Sequence, residues 1–404
     1  MSHVMNTYAR LPVAFERGEG VWLWDTQGKR YLDGLAGIAV CGLGHAHPRL
    51  TAVLQEQVRT LVHTSNLYGI PLQEKLADRL AAISGMENVF FCNSGCEANE
   101  AAIKLARLYG HKQGIDAPAI IVMEQAFHGR TIATLTATGS RKVQAGFEPL
   151  LAGFVRVPFD DLEAVRRVAA GNRNVVAVLV ELIQGEGGIK LCHNDYLAGL
   201  RAICDEHKWL LMLDEVQTGT GRTGTWFAFQ HSGVKPDVVT LAKGLGNGVP
   251  IGICMAAGEA ATLFKPGNHG STFGGNPLAC AAGLETLAII EADGLMQNAV
   301  EIGDFIKATL RERLSGAAGV KDIRGSGLMI GIELDRPCGD LVARALQAGL
   351  LINVTDDTVV RLLPPLIYTR EDASLLVDKL APLIIEFLAQ QRSDGQGQPI
   401  AKSA

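Results

Sequence analysis

An α/β fold is predicted, with a large domain built on a mostly parallel central sheet flanked by helices and a smaller α+β domain. Three observations predict it. Between about Gln73 and Val239, short apolar runs alternate with segments of helical period, the pattern of strands joined by crossover helices. After Gly275 this texture gives way to long helix-forming runs and paired short strands. The chain's 404 residues, 48% apolar and 20% charged, are enough for more than one core.

The elements follow in order. Residues 20–25 and 30–33 flank the turn Thr26-Gln27-Gly28-Lys29 and read as a hairpin. An amphipathic helix is expected near 49–60, after Pro48. Strands are expected at 89–92, 119–123, 154–157, 175–181, 210–214 and 238–241. Helices between them are expected near 72–84, 97–110, 162–170 and 195–206. A helical run at 278–295 continues through 296–314. Strands at 320–325 and 327–334, a helix at 339–348, strands at 350–354 and 358–363, and a last helix at 371–391 complete the smaller unit. Residues 1–48 are expected to join that unit, 49–290 to form the large domain, 291–391 the small one, and 392–404 a disordered tail that is polar and rich in Gly and Gln.

Composition narrows the function. A net charge of -5 provides no footprint for nucleic acid or an anionic membrane. The N-terminus lacks an apolar h-region, and no apolar run is long enough to span a bilayer. The 8 cysteines are scattered and form no C-x-x-C pair, so reduced thiols in a cytoplasmic protein are expected. His45 and His47 form an H-x-H, read as a turn before Pro48 rather than as metal ligands.

Several segments carry chemistry. NSGCEANE (93–100) follows a strand and opens a helix. It fits an anion site at a helix N-terminus and equally a capping box of Ser94 and Glu97. FHGRT (127–131) offers a ring-stacking Phe127 and a carboxylate-shaped Arg130, or simply a loop with a surface arginine. Glu181 to Gly188 ends a strand with two carboxylates and three glycines, which implies an unusual backbone. The G-x-G-x-G after Lys243 does not match dinucleotide spacing. Ser271 and Thr272 sit in a second Gly-rich turn and are candidate phosphate ligands. A lone arginine such as Arg361 is expected to be solvated.

Asp214 and Lys243 each end an apolar, strand-like run, where α/β sheets put their chemistry. Alone, each has a bland reading: a surface lysine and a turn aspartate. Together they suit pyridoxal 5'-phosphate (PLP), whose aldehyde needs an amine and whose ring nitrogen needs a carboxylate.

Taken in order, NSGCEANE (93–100), FHGRT (127–131), ELIQGEGG (181–188), LDEVQTGTGRTG (213–224), LAKGLGNGVPIG (241–252), STFGGNP (271–277) and RLLPP (361–365) resemble the class III, subgroup II, PLP-dependent aminotransferases of fold type I. The resemblance spans nearly the whole chain. It implies that Lys243 holds PLP covalently and later moves a proton. It implies that Asp214 pairs with the ring nitrogen and Gln217 with the ring hydroxyl oxygen. Phe127 and Val216 would cover the two ring faces. Gly95 and Cys96 would give backbone amides to the phosphate, with Ser94 nearby. Thr272, with Ser271, would reach that phosphate from a partner subunit, making a homodimer the smallest active unit. Arg130 would bind a substrate carboxylate. Glu186 would pair with Arg361 and swing away when 2-oxoglutarate or glutamate needs that arginine.

The resemblance also implies a substrate. His63-Thr64-Ser65-Asn66-Leu67-Tyr68, and Ile38 within Gly37-Ile38-Ala39-Val40, point to a branch using N2-acetyl-L-ornithine with 2-oxoglutarate, yielding N-acetyl-L-glutamate 5-semialdehyde and L-glutamate in arginine biosynthesis. N-succinyl-LL-diaminopimelate and succinylornithine are further candidates. Ornithine-specific members carry Tyr at the position of Ile38, and Ile offers a free α-amine no partner. Ornithine, 4-aminobutyrate and other ω-amines remain alternatives. A semialdehyde isomerase or a regulator without activity fits the motifs less well.

Overall fold

The computed structural model describes residues 3–393. Its centre is a seven-stranded sheet. The strands are β1 (Asn88–Cys92), β2 (Ala119–Met123), β3 (Phe154–Val157), β4 (Val175–Val180), β5 (Leu210–Asp214), β6 (Val238–Leu241) and β7 (Gly252–Ala256). They lie in the order β1-β7-β6-β5-β4-β2-β3. β7 alone runs antiparallel, pairing Gly252 with Cys92 and Leu241 with Ile253. Because β7 is antiparallel to both neighbours, β1 points the same way as the other strands.

The inner strands, β2 and β4 to β7, are buried on both faces because helices cover both faces. Side chains alternate between them with the period of two that a strand imposes. Val178 and Val180 enter one core, with Leu76, Leu80 and Leu200. Ala177 and Leu179 enter the other, with Ile103, Ala106 and Tyr109. The helix Gly95–Lys112 supplies much of that second core through alanines, and so lies close to the sheet.

A third core joins the two ends of the chain. Val21, Leu32 and Leu43 pack with Leu295, Ile330, Leu376 and Phe387. Sheet pairing does the same. Phe15–Glu19, Trp22–Asp25 and Arg30–Asp33 form a sheet whose fourth strand is Leu350–Leu351. A second four-stranded sheet holds Val320–Ser326, Met329–Leu334, Val359–Leu362 and Asn353–Thr355, all antiparallel. The helix Pro277–Ala292 contributes to both the central and the terminal cores.

Most elements fall where the sequence predicts. Three differ. The long run from 278 to 314 is two helices, Pro277–Ala292 and Leu295–Arg313, broken at Gly294, whose φ is +63°. The single strand expected at 350–354 is two short strands in different sheets. β7 was not anticipated, because Gly252-Ile253-Cys254-Met255-Ala256 has little of the β-branched texture of a strand. The last helix, Arg370–Ser393, runs past 391. The expected tail, apart from those final helical positions, lies outside the described residues.

Candidate active site

The strands of one direction all end at the same edge, and the chemistry-bearing residues follow those ends. A cavity of about 370 Å³ opens there, within the range of small-ligand sites. Ser94, Gly95 and Cys96 follow β1; Phe127 and Arg130 follow β2; Glu186 follows β4. Asp214 ends β5, Val216 and Gln217 come after it, and Lys243 follows β6. All ten line the cavity. Asn99, His128, Glu181 and Val40 also line it, although the sequence had not singled them out for the site.

Asp214 is the most heavily bonded group. Its Oδ2 accepts from His128 Nδ1 at 2.8 Å and from Asn99 Nδ2 at 2.7 Å. Its Oδ1 accepts from the Val216 amide at 3.0 Å. Asn99 is fixed in turn by Thr240, whose hydroxyl donates to its carbonyl at 2.8 Å. Burial alone would lower the pKa of His128, but its bond to Asp214 and the charges of Asp214 and Glu181 outweigh burial and raise it. The sequence signal for both helpers was faint. Asn99 is a buried amide on an alanine-rich helix face, and His128 is a histidine inside FHGRT.

Lys243 sits on a strained backbone. Its φ is +42°, rare for a residue with a side chain and most often kept where function needs it. Burial, with Arg361 nearby, pulls its pKa below the usual lysine range. Asp214, Glu186 and Glu181 pull the other way without cancelling the effect.

The helix after β1 forms half of the expected capping box: Ser94 caps it, but the Glu97 carboxylate reaches the amide of Asn93, one residue before the cap, rather than that of Ser94. Ser94 Oγ accepts from the Glu97 amide at 3.2 Å, and Glu97 Oε2 accepts from the Asn93 amide at 2.7 Å. The anion reading survives beside it, because the first-turn amides of Gly95 and Cys96 have no intrahelical acceptor and both residues line the cavity. A Cβ on Gly95 would lie 2.7 Å from Val216 Cγ1, so glycine is what lets the Val216 side chain pack on this turn.

Arg361 corrects the expectation of a solvated arginine: it is fully buried. Its NH1 donates to Glu186 Oε1 at 2.7 Å and to Gly185 O at 3.1 Å, and its Nε to Asn353 Oδ1 at 3.0 Å. Its NH2 has no hydrogen-bond partner among the described residues. The Glu186 side chain is 41% exposed, so the acid has room to leave while the arginine does not. Its main chain is held by the Thr355 hydroxyl on Glu186 O and by Arg324, which donates to Gly188 O at 2.6 Å and Ile189 O at 2.8 Å.

Arg130 is exposed at the cavity mouth, its guanidinium 5.5 Å from the centre of the Phe127 ring. Four sequence candidates lie outside the lining: Arg361, Ile38, Ser271 and Thr272. Ile38 packs beside Ala39, Ile189 and Leu363, in a left-handed turn where its φ is +67°. Ser271 Oγ accepts from Asn93 Nδ2 at 3.1 Å, and Thr272 is exposed. Among the described residues no His/Cys/Asp/Glu group could hold a metal ion.

Comparison with known proteins agrees with this geometry. The family described as "Aminotransferase class-III" matches residues 4–384. The chain belongs to the class-III aminotransferases. This class-III aminotransferase is 66% identical to the "Acetylornithine aminotransferase" of Nitrosomonas europaea, over 96% of this chain and 99% of that one. The Aquifex aeolicus protein of the same name is 48% identical over 95% and 100% of the two chains. Among solved structures, the ornithine aminotransferase from Toxoplasma gondii ME49 superposes with a TM-score of 0.92 at 34% identity, covering 96% and 94%. The N-acetylornithine aminotransferase from Stenotrophomonas maltophilia K279a superposes with a TM-score of 0.83 at 36% identity, covering 95% and 98%.

Proposed function

We propose that this aminotransferase uses PLP to transfer the ω-amino group of N2-acetyl-L-ornithine to 2-oxoglutarate. The products are N-acetyl-L-glutamate 5-semialdehyde and L-glutamate. The observation that carries the chemistry is the buried trio Asp214, His128 and Asn99 facing the cavity that holds Lys243. The donor rests on full-length similarity to proteins named for acetylornithine.

The residues present fit PLP. A carboxylate with three donors on it suits a protonated ring nitrogen, and unpaired helix amides at Gly95 and Cys96 suit a phosphate. When bound, PLP supplies an electron sink for the substrate carbon that bears the amine. Lys243 would hold the cofactor and, with its lowered pKa, take and return a proton at Nζ. Asp214 would keep the ring nitrogen protonated, Gln217 would bond the ring hydroxyl oxygen, and Phe127 and Val216 would bracket the ring. Arg130 would orient the donor carboxylate. Arg361 would take the α-carboxylate of 2-oxoglutarate once Glu186 turns outward.

A homodimer is part of the proposal. Asn66 Nδ2 donates to Ser271 O and Gly274 O, both at 3.0 Å. Around that tie Leu67, Tyr68 and Phe273 are 86%, 69% and 61% exposed. Such an apolar cluster suits coverage by a second copy, and would let Ser271 and Thr272 reach the partner's cavity. The proposed large domain is 49–290, and the proposed small domain combines 1–48 with 291–391. A cytoplasmic location rests on eight free thiols. No described helix is long and apolar enough to cross a membrane.

Ornithine is the second reading. Ile38, the residue argued to exclude it, lies outside the cavity lining, and the Toxoplasma gondii ornithine enzyme superposes closely. Absorbance of the purified protein decides, recorded before and after adding N-acetylornithine, ornithine or 4-aminobutyrate. Fastest loss of the visible band with N-acetylornithine supports the proposal. Fastest loss with another amine replaces the donor. A colourless protein that PLP cannot reconstitute refutes it.

A further inference from the structure

Glu181 is a carboxylate for which the scheme above has no task. It is the first residue beyond β4, lines the cavity and is 6% exposed. Burying a carboxylate is costly unless its oxygens are satisfied. Both are, and each by a different loop. Oε2 accepts from the Phe127 amide at 2.9 Å, and Oε1 accepts from the Gly185 amide at 3.2 Å. The first loop carries Phe127 and Arg130. The second carries Glu186, and its Gly185 carbonyl accepts from Arg361.

We propose that Glu181 is a positioning residue that ties the Phe127–Arg130 loop to the Gly185–Glu186 turn, so that the ring-stacking face and the Arg361 gate keep a fixed spacing. The inference rests on the roles proposed above for Phe127 and Arg361. The tie itself is a matter of two amides on one carboxylate. The direction of its pH response follows from the surroundings. Burial pushes the Glu181 carboxyl up to about 7; the Asp214 charge adds to that, while His128 and the two amides oppose it. Lys243, Asp214 and His128 are the charged or titratable groups that face it. A protonated carboxyl turns one oxygen into a donor, which then opposes an amide N–H. The tie therefore holds above about pH 7 and is lost on acidification through that value.

The test uses the PLP-loaded protein and Glu181→Gln, which keeps the shape but gives only one acceptor. Two readouts are followed: hydrogen exchange of the peptides containing Phe127 and Gly185, and the pH profile of the amine half-reaction. Exchange is expected to rise about tenfold in the variant at one or both amides, reflecting the loss of one buried bond. The wild-type profile is expected to have an acid limb near pH 7 that the variant lacks, since His128 is present in both. Unchanged exchange at both amides, or an acid limb of the same midpoint in the variant, overturns the proposal. Should the variant not fold, wild-type exchange across about pH 5.5–8.5 decides, because the two amides must loosen together below about pH 7. A protein that folds but takes up no PLP refutes the proposed function, whereas exchange of the unloaded protein still reads the tie.

Discussion

Replacing Asp214 with Asn tests the centre of the site. The side chain keeps its size, so packing is unchanged. The carboxylate now accepts from His128 Nδ1, Asn99 Nδ2 and the Val216 amide. An amide group has one acceptor. If it serves His128 and Asn99, its own N–H groups oppose the Val216 amide. If it serves Val216, two buried donors lose their partner. Either way His128, whose pKa Asp214 raises, loses its counter-charge. Breaking a buried, bonded pair costs about 3–5 kcal/mol. If the same loss is felt as charge develops on the bound substrate, the half-reaction slows by roughly 10²- to nearly 10⁴-fold. The assay is stopped-flow decay of the visible band with N-acetylornithine, alongside thermal unfolding at matched protein concentration. Asp214→Asn with a half-reaction within tenfold of wild type and an unchanged unfolding temperature would refute the reasoning.

Three other outcomes are expected. Glu186→Ala frees Arg361 from its acid, so glutamate should compete better with the amine donor and KM for 2-oxoglutarate should fall; stability should also fall, because the fully buried Arg361 loses its counter-charge, and unchanged ratios of the two half-reactions would count against the gate. Gly185→Ala places a Cβ 2.5 Å from Gln217 Oε1, so Gln217 must shift at roughly 1–3 kcal/mol, and weaker PLP binding by titration of the unloaded protein is expected. For His45, burial alone would lower the pKa, but its 2.8 Å bond to Asp33 raises it to about 9 from 6.5. A raised folded-state value means that this contribution, at most about 3 kcal/mol, is fully present below about pH 6.5 and lost as pH rises through 9. Unfolding temperature against pH should lose that decline in His45→Gln.

Much of the fold was legible because the parallel strands are buried on both faces and read as unbroken apolar runs. β2, β5 and β6 fall at the expected residues for that reason; β3, an edge strand with Arg156 exposed, was legible instead from its Phe and Val residues. β7 escaped because its Gly, Cys, Met and Ala suit a strand only once β1 and β6 are there to pair with it. The split of residues 350–354 is likewise decided by pairing in two sheets, whereas the helix break at Gly294 does carry a local mark, the turn pair Asp293-Gly294. At the site, Lys243 and Asp214 stood out as charges ending apolar runs. Asn99 and His128 did not, and Glu181 was marked only as a carboxylate at a strand end, because a buried polar group reveals its role only through the partners that satisfy it.

The sequence by itself determined the alternation of strand and helix, the order of the motifs, and hence the class of chemistry. These depend on near neighbours and on periodicity. Tertiary structure decided that Arg361 is buried against Glu186, that Ile38 lies outside the cavity lining, and that one buried carboxylate receives amides from two loops. Those facts depend on contacts between residues far apart in the chain, which geometry alone brings together.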